Sequence, residues 1–208
     1  MARPVIYVLA GVNGAGKSSI GGQQLVRAGL NWFNPDSFAR ELMQKTAKDQ
    51  TTANGEAWKE GMRRLQAAIT DHQSYAFETT LGGNSVAAKL SEASKTHDIV
   101  VWFCGLSSPE QHTERVSQRV AAGGHPIENA KIRERYQSSR MNLIALMPHL
   151  AKVMIYDNSV NAALGESCPD PVLVGRLVAR KLEWPLDVDG LATTPDWAKP
   201  LLEAAMGR

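Results

Sequence analysis

The sequence predicts a three-layer α/β fold on a five-stranded parallel sheet. Apolar, β-branched runs alternate with segments of helical spacing, and those runs are continuously apolar, as in strands buried on both faces. The first run also breaks directly into a glycine-rich loop. At 208 residues, 43% hydrophobic and 21% charged, the chain is long and apolar enough for one folded domain with a real core. A formal charge of +2 is too small to argue for nucleic acid or a membrane surface as partner, and neither is expected. No apolar run approaches the ~20 residues that span a bilayer. The N-terminal run leads into glycines rather than a cleavage site, so no signal peptide is expected and the location is read as cytoplasmic. Cys104, in "IVVWFCGL", reads as a small buried hydrophobe, and Cys168 lies in a loop; neither requires a disulfide.

"PVIYVLAG" is the first strand, followed by a helix opening in "GKSSIGGQQLVRAGL", where Gly21 and Gly22 point to close packing. "NWFNPD" is a short second strand or extended stretch, leading into the helix "SFARELMQKTAK". A further helix covers "TTANGEAWKEGMRRLQAAITDHQ", with Ala57, Met62, Leu65, Ala68 and Ile69 at helical spacing. "SYAFETTL" is a strand, "GGNSVAAKLSEASKT" a helix and "DIVVWFCGL" a buried strand. "SPEQHTERVSQRVAAGG" begins with a serine cap and a proline at the first helical position, and stops at paired glycines. "PIENAKIRERYQSSRMNLIALMPHL" is a long helix, "AKVMIYDNS" the last strand and "PVLVGRLVARKLEW" a last core helix. Residues 1–184 form the main domain, and the extension 185–208 packs on it, docking a short helix through Trp197.

In such a sheet ligands meet the carboxyl ends of the strands, so functional residues are expected directly after each strand. After the first strand, Gly11 to Ser18 fit G-x-x-x-x-G-K-[ST], the pattern of a phosphate loop (P-loop). This assigns nucleotide binding to Gly11, Asn13, Gly14, Ala15, Gly16, Lys17, Ser18 and Ser19. Lys17 meets the β- and γ-phosphates, Ser18 holds Mg2+ and Ser19 adds a hydroxyl at the α-phosphate. The fold class is therefore the P-loop NTPase/kinase fold. After the second strand, Asp36 reads either as a helix cap or as the general base of a kinase, and Arg40 as its ion-pair partner or an acceptor-binding residue. After the third, Glu78, Thr79 and Thr80 end a buried strand and are read as holding acceptor hydroxyls, Glu78 also reaching magnesium through water. After the fourth, two helices carry Arg115, Arg119, Arg133 and Arg135 around "AAGGHPI", a helical arginine-bearing lid. After the fifth, Asn158 is read as an adenine contact or part of a simple turn. His125 reads as a turn residue; the other histidines show no metal-ligand spacing.

Taken in order, "GVNGAGKSS", "NPDSFAR", "FETTL", "RVAAGGHPI" with "IRERYQSS", and "YDNS" resemble the zeta toxin family of phosphate-loop kinases. The resemblance covers residues 5 to about 160. It implies an ATP-dependent kinase acting on a small-molecule hydroxyl, as known members do on UDP-N-acetylglucosamine, with a small antitoxin as partner. Lys17 and Ser18 match the phosphate and magnesium positions, Asp36 the catalytic base, and Glu78, Thr79 and Thr80 the strip that grips the sugar. Arg119 and one of Arg133 or Arg135, with Arg135 favoured, match the pair on the transferred phosphoryl group. One departure is that "ETTLGGNS" has no arginine or lysine before Lys89.

Two other classes compete. One is a nucleotide-dependent switch or ATPase without a small-molecule product; its GTP version needs an N-K-x-D after a later strand, which is missing, and the D-x-x-G at Asp187 to Gly190 lies out of order. A polynucleotide kinase calls for a broad basic groove, against which the near-neutral charge argues.

Overall fold

The computed structural model describes residues 3–18, 21, 25, 29–161 and 169–207. Strand β1 (Val5–Ala10) is interior and parallel to both its neighbours, β2 (Tyr75–Thr79) and β3 (Asp98–Gly105). β4 (Lys152–Asp157) pairs in parallel with β3. The chain thus moves to one side of β1 for β2 and to the other for β3, which opens a crevice at the carboxyl end of β1.

Among the described residues the sheet has six strands rather than five, in the order β2-β1-β3-β4-β5-β6. "NWFNPD" forms no strand of the ladder. Phe33 alone bridges to Phe77, and Pro35, lacking an N–H, opens a helix instead. The expected last helix is a hairpin of β5 (Val172–Val178) and β6 (Lys181–Trp184), in which β5 runs antiparallel to both β4 and β6. Its two-residue turn, Ala179 and Arg180, has φ of 47° and 68°, the doubly positive geometry whose twist suits a tight hairpin.

The helices are α1 (Pro35–Lys45), α2 (Gln50–Thr70), α3 (Asn84–Ala93), α4 (Pro109–Ala121), α5 (Asn129–Leu146), α6 (Val188–Ala192) and α7 (Lys199–Met206). Lys17 and Ser18, and further on Gly21 and Leu25, are also helical. Alternation along β1 divides the core between the two sheet faces. Ile6, Val8 and Ala10 join the main core with Leu65, Leu90, Leu143 and Leu201, while Leu9 packs with Leu25 and Ala76 on the other. Gly21 lies where a Cβ would run into Leu9, so close packing accounts for that glycine; Gly22 lies outside the described residues. Trp197, ahead of α7, is buried against Phe103, and its Nε1 donates to Asp157 Oδ1 at 2.8 Å. Asp187 of the D-x-x-G stretch caps α6 by accepting from Gly190 N at 2.7 Å, which explains that pattern without a nucleotide. Among the described residues no helix is long and apolar enough to cross a membrane.

Candidate active site

The phosphate loop leaves β1 at Ala10 and turns back on itself through Ala15 N, which donates to Val12 O at 3.1 Å. Gly14 and Gly16 have φ of 84° and 82°, a region that side chains disfavour. The loop rests on buried groups. Cys104 Sγ donates to Ala15 O at 2.8 Å, and Asn158 Nδ2 donates to the same carbonyl at 2.9 Å. Burial pushes the Cys104 thiol up to about 12, so it stays a protonated donor. His112 bonds through Nδ1 to Asn13 O at 2.9 Å; since a carbonyl only accepts, Nδ1 carries the proton. Burial lowers its pKa to about 4, against the raising effect of that bond, so the ring is neutral at pH 7. Cys104 is therefore the buried hydrophobe expected from the sequence, whereas Asn158 lies beneath the loop. At 8% exposure, with its amide bonded to Ala15, Asn158 is a support rather than an adenine contact. Ser19 and Cys168 lie outside the described residues.

Lys17 is buried, with Nζ donating to Val12 O at 3.3 Å and lying 3.5 Å from Glu78 Oε1. The other Glu78 oxygen accepts from Ser18 Oγ at 3.1 Å and from Asn34 Nδ2 at 2.9 Å. Asn34 also caps α1, its Oδ1 accepting from Ser37 N at 3.0 Å. The cap is thus Asn34, and Asp36, in the first turn, keeps its carboxylate free of that duty. Thr79 and Thr80 turn their hydroxyl oxygens to Leu81 N (3.0 Å) and Gly82 N (3.4 Å), which leaves each O–H to donate.

α4 ends as the paired glycines predict. Gly123 N donates to Val120 O and Gly124 N to Arg119 O, both at 2.9 Å, with Gly123 at φ 89°. This cap sets Arg119 in the last turn of α4, its Nη1 3.9 Å from Asp36 Oδ2. Arg119 Nε and Nη2 are buried and find no partner among the described residues. Arg135 reaches the loop, Nη1 donating to Asn13 Oδ1 at 2.8 Å. Arg133 does not. It is exposed and paired with Glu110 at 2.6 Å, which corrects its assignment to the substrate. Arg115 is likewise spent, on Val160 O and Asn161 Oδ1.

These groups surround a cavity of about 690 Å³, within the range of small-molecule sites, lined by Asn13, Lys17, Asp36, Glu78, Thr80 and Arg135 among others. A second cavity of about 740 Å³ meets it at Asp36, Gln50 and His125 and carries Arg40 and Arg119. Sequence reasoning misses Asn34, His112 and the Trp58 and Met62 wall. Only Asn34 leaves a signal, an asparagine directly before a proline at a helix start.

Ser18 and Glu78 offer oxygen ligands beside Lys17, which suits Mg2+. Among the described residues no three His, Cys, Asp or Glu side chains are grouped to hold a metal. A magnesium ion held by this pair would complete its shell with water and phosphate oxygens.

Residues 1–166 match the family Zeta toxin. The chain belongs to the zeta toxin family. One relative, a Haemophilus influenzae protein described as uncharacterized, is 27% identical over 133 residues, covering 61% of this chain and 88% of its own. Among solved structures, the AvrRxo1-ORF1:-ORF2 complex with ATP aligns at a TM-score of 0.66 and 15% identity, over 98% of this chain and 64% of that one. The PezAT chromosomal toxin–antitoxin system of Streptococcus pneumoniae aligns at 0.57 and 17% identity, over 82% and 72%. This zeta toxin family chain therefore spans somewhat under two thirds of the AvrRxo1 chain. At these identities the likeness carries the fold, an α/β P-loop kinase fold.

Proposed function

We propose that the protein is an ATP-dependent kinase that transfers the γ-phosphoryl group to a hydroxyl of a small molecule. The observation that carries this reading is the convergence of Lys17, Asp36, Glu78 and Arg135 on one cavity, with Arg119 bordering it at Asp36. Backbone N–H groups of the loop and the Lys17 ammonium bind the phosphates. The Asp36 carboxylate accepts the proton of the acceptor hydroxyl as its oxygen attacks the γ-phosphorus and ADP departs. The unpartnered Arg119 nitrogens and the Arg135 guanidinium offer donors to the equatorial oxygens of the group in flight. Thr79 and Thr80 orient the acceptor, and Arg40 lies in the adjoining cavity for an anionic part of either substrate. Magnesium, held by Ser18 and Glu78, would neutralise phosphate charge. Membership of the zeta toxin family makes UDP-N-acetylglucosamine the first acceptor to try and a small antitoxin the partner to seek, in the cytoplasm.

The test is mass spectrometry of the protein with Mg2+, ATP, UDP-N-acetylglucosamine and a pooled metabolite extract. A phosphorylated product should form, and Asp36→Asn should lower its rate by ~10²–10⁴ with ATP affinity unchanged. No product from any acceptor, with ATP still bound, would refute the kinase reading and favour a nucleotide-dependent switch.

A further inference from the structure

Residues 33 and 34 are stitched to the end of β2. Phe33 N donates to Ala76 O and Glu78 N donates to Phe33 O, both at 2.9 Å, which carries the chain past Glu78. Pro35 follows, and a proline holds the residue before it extended. Asn34 accordingly has φ −109° and ψ 112°, the backbone of a helix cap. Its side chain stands between two elements. Oδ1 accepts from Ser37 N at 3.0 Å and fixes the first turn of α1, which carries Asp36. Nδ2 donates to Glu78 Oε2 at 2.9 Å.

Capping alone does not call for an amide here. Asparagine, aspartate and serine cap helices about equally well. An ionised aspartate has no hydrogen to donate and would set a second carboxylate against Glu78. Serine offers a single oxygen for both duties. Of the three, only asparagine carries an acceptor and a donor on separate atoms. Glu78 is 9% exposed, and a buried charge depends on each of its partners. Lys17 and Ser18 also face it, but both belong to the phosphate loop and, on the kinase reading, have phosphate and magnesium to meet. Asn34 is its partner from outside the loop.

Resting on that kinase reading, we infer that Asn34 is a positioning residue that sets Asp36 and Glu78 as one unit. Its oxygen fixes the turn that carries the base, and its nitrogen fixes the carboxylate beside Lys17 and Ser18. Neither Asp36 nor Glu78 then moves without the other as the phosphate loop fills.

The test uses two variants of the full chain that keep the cap, Asn34→Ser and Asn34→Asp. Turnover is measured with Mg2+, ATP and UDP-N-acetylglucosamine, or with whichever acceptor the metabolite screen yields. Asn34→Ser should lower kcat about tenfold and Asn34→Asp about a hundredfold, the scale of loss for a misplaced reacting group. ATP affinity of Asn34→Ser, measured by calorimetry without magnesium, should stay within twofold. Urea unfolding supplies a readout apart from activity. Asn34→Asp should raise the unfolding constant about tenfold beside Glu78, and less than threefold in a Glu78→Gln background, where an amide can donate to the new carboxylate. Turnover of both variants within twofold of wild type would show a cap and nothing more. Equal effects of Asn34→Asp on unfolding in the two backgrounds, or a loss of ATP affinity in Asn34→Ser as large as its loss in kcat, would also overturn the inference. Each of these results leaves the kinase reading standing, whereas wild-type protein that phosphorylates no acceptor would remove both.

Discussion

Asn158 separates two accounts of the nucleotide site. Its Nδ2 donates to Ala15 O at 2.9 Å from a buried position, and it fills the space that a Cβ on Gly16 would need. Asn158→Ala removes that donor and leaves the Ala15 carbonyl to the Cys104 thiol, a weak donor. Depriving a buried carbonyl of its main partner costs about 1–3 kcal/mol. If the phosphate-binding conformation of the loop carries the whole cost, affinity falls by about 5–150-fold. The assay is calorimetric binding of ATP, GTP and inorganic tripolyphosphate to the wild type and the variant. A loop support predicts the same loss for all three, because each is held through its phosphates. A loss confined to ATP, with tripolyphosphate unchanged, would refute the support role and restore Asn158 as an adenine contact.

The arginines of α4 and α5 should divide sharply. Arg133→Ala, which breaks only an exposed pair with Glu110, should leave kcat within twofold, whereas Arg119→Ala or Arg135→Ala should each lower it by ~10³ or more in a phosphoryl-transfer assay. His112 makes the fold acid-sensitive. Its folded pKa of about 4 lies below the usual 6.5, so the unfolded chain takes up the proton first. Stability is therefore complete above pH 6.5 and falls by up to about 3 kcal/mol as pH drops toward 4. Urea midpoints across that window should fall more steeply for the wild type than for His112→Asn, and equal slopes would contradict a buried neutral ring. Trp197→Ala should lower unfolding free energy by about 3–5 kcal/mol, and Trp197→Phe, which loses the bond to Asp157, by about 1 kcal/mol. Chemical denaturation of both would measure how far the C-terminal extension supports the fold.

Sequence is legible wherever physics restricts residue choice. A phosphate loop needs positive φ at set positions, a cation and a hydroxyl, so "GVNGAGKSS" displays its chemistry within a few residues. The capped start and paired-glycine stop of α4 are legible for the same reason. The β5–β6 hairpin is hidden because Ala179 and Arg180 carry its positive φ without the asparagine or glycine that usually marks such a turn. Its spaced apolar residues also fit a helix about as well as a strand, and only the valines Val172, Val174 and Val178 hint otherwise. Asn158 and His112 are opaque for a different reason. Their partners are backbone carbonyls in the phosphate loop, 143 and 99 residues away, and a carbonyl has no signature in the sequence. The same holds for the α2 wall of the cavity. Trp58 and Met62 sit at helical spacing, which reads as core, and only the placement of α2 across the crevice leaves that face open to a ligand. The phosphate loop is thus written in residue types, because its geometry constrains the backbone itself. The α2 wall of the cavity is set by the packing of α2 against Phe33, which no local pattern records.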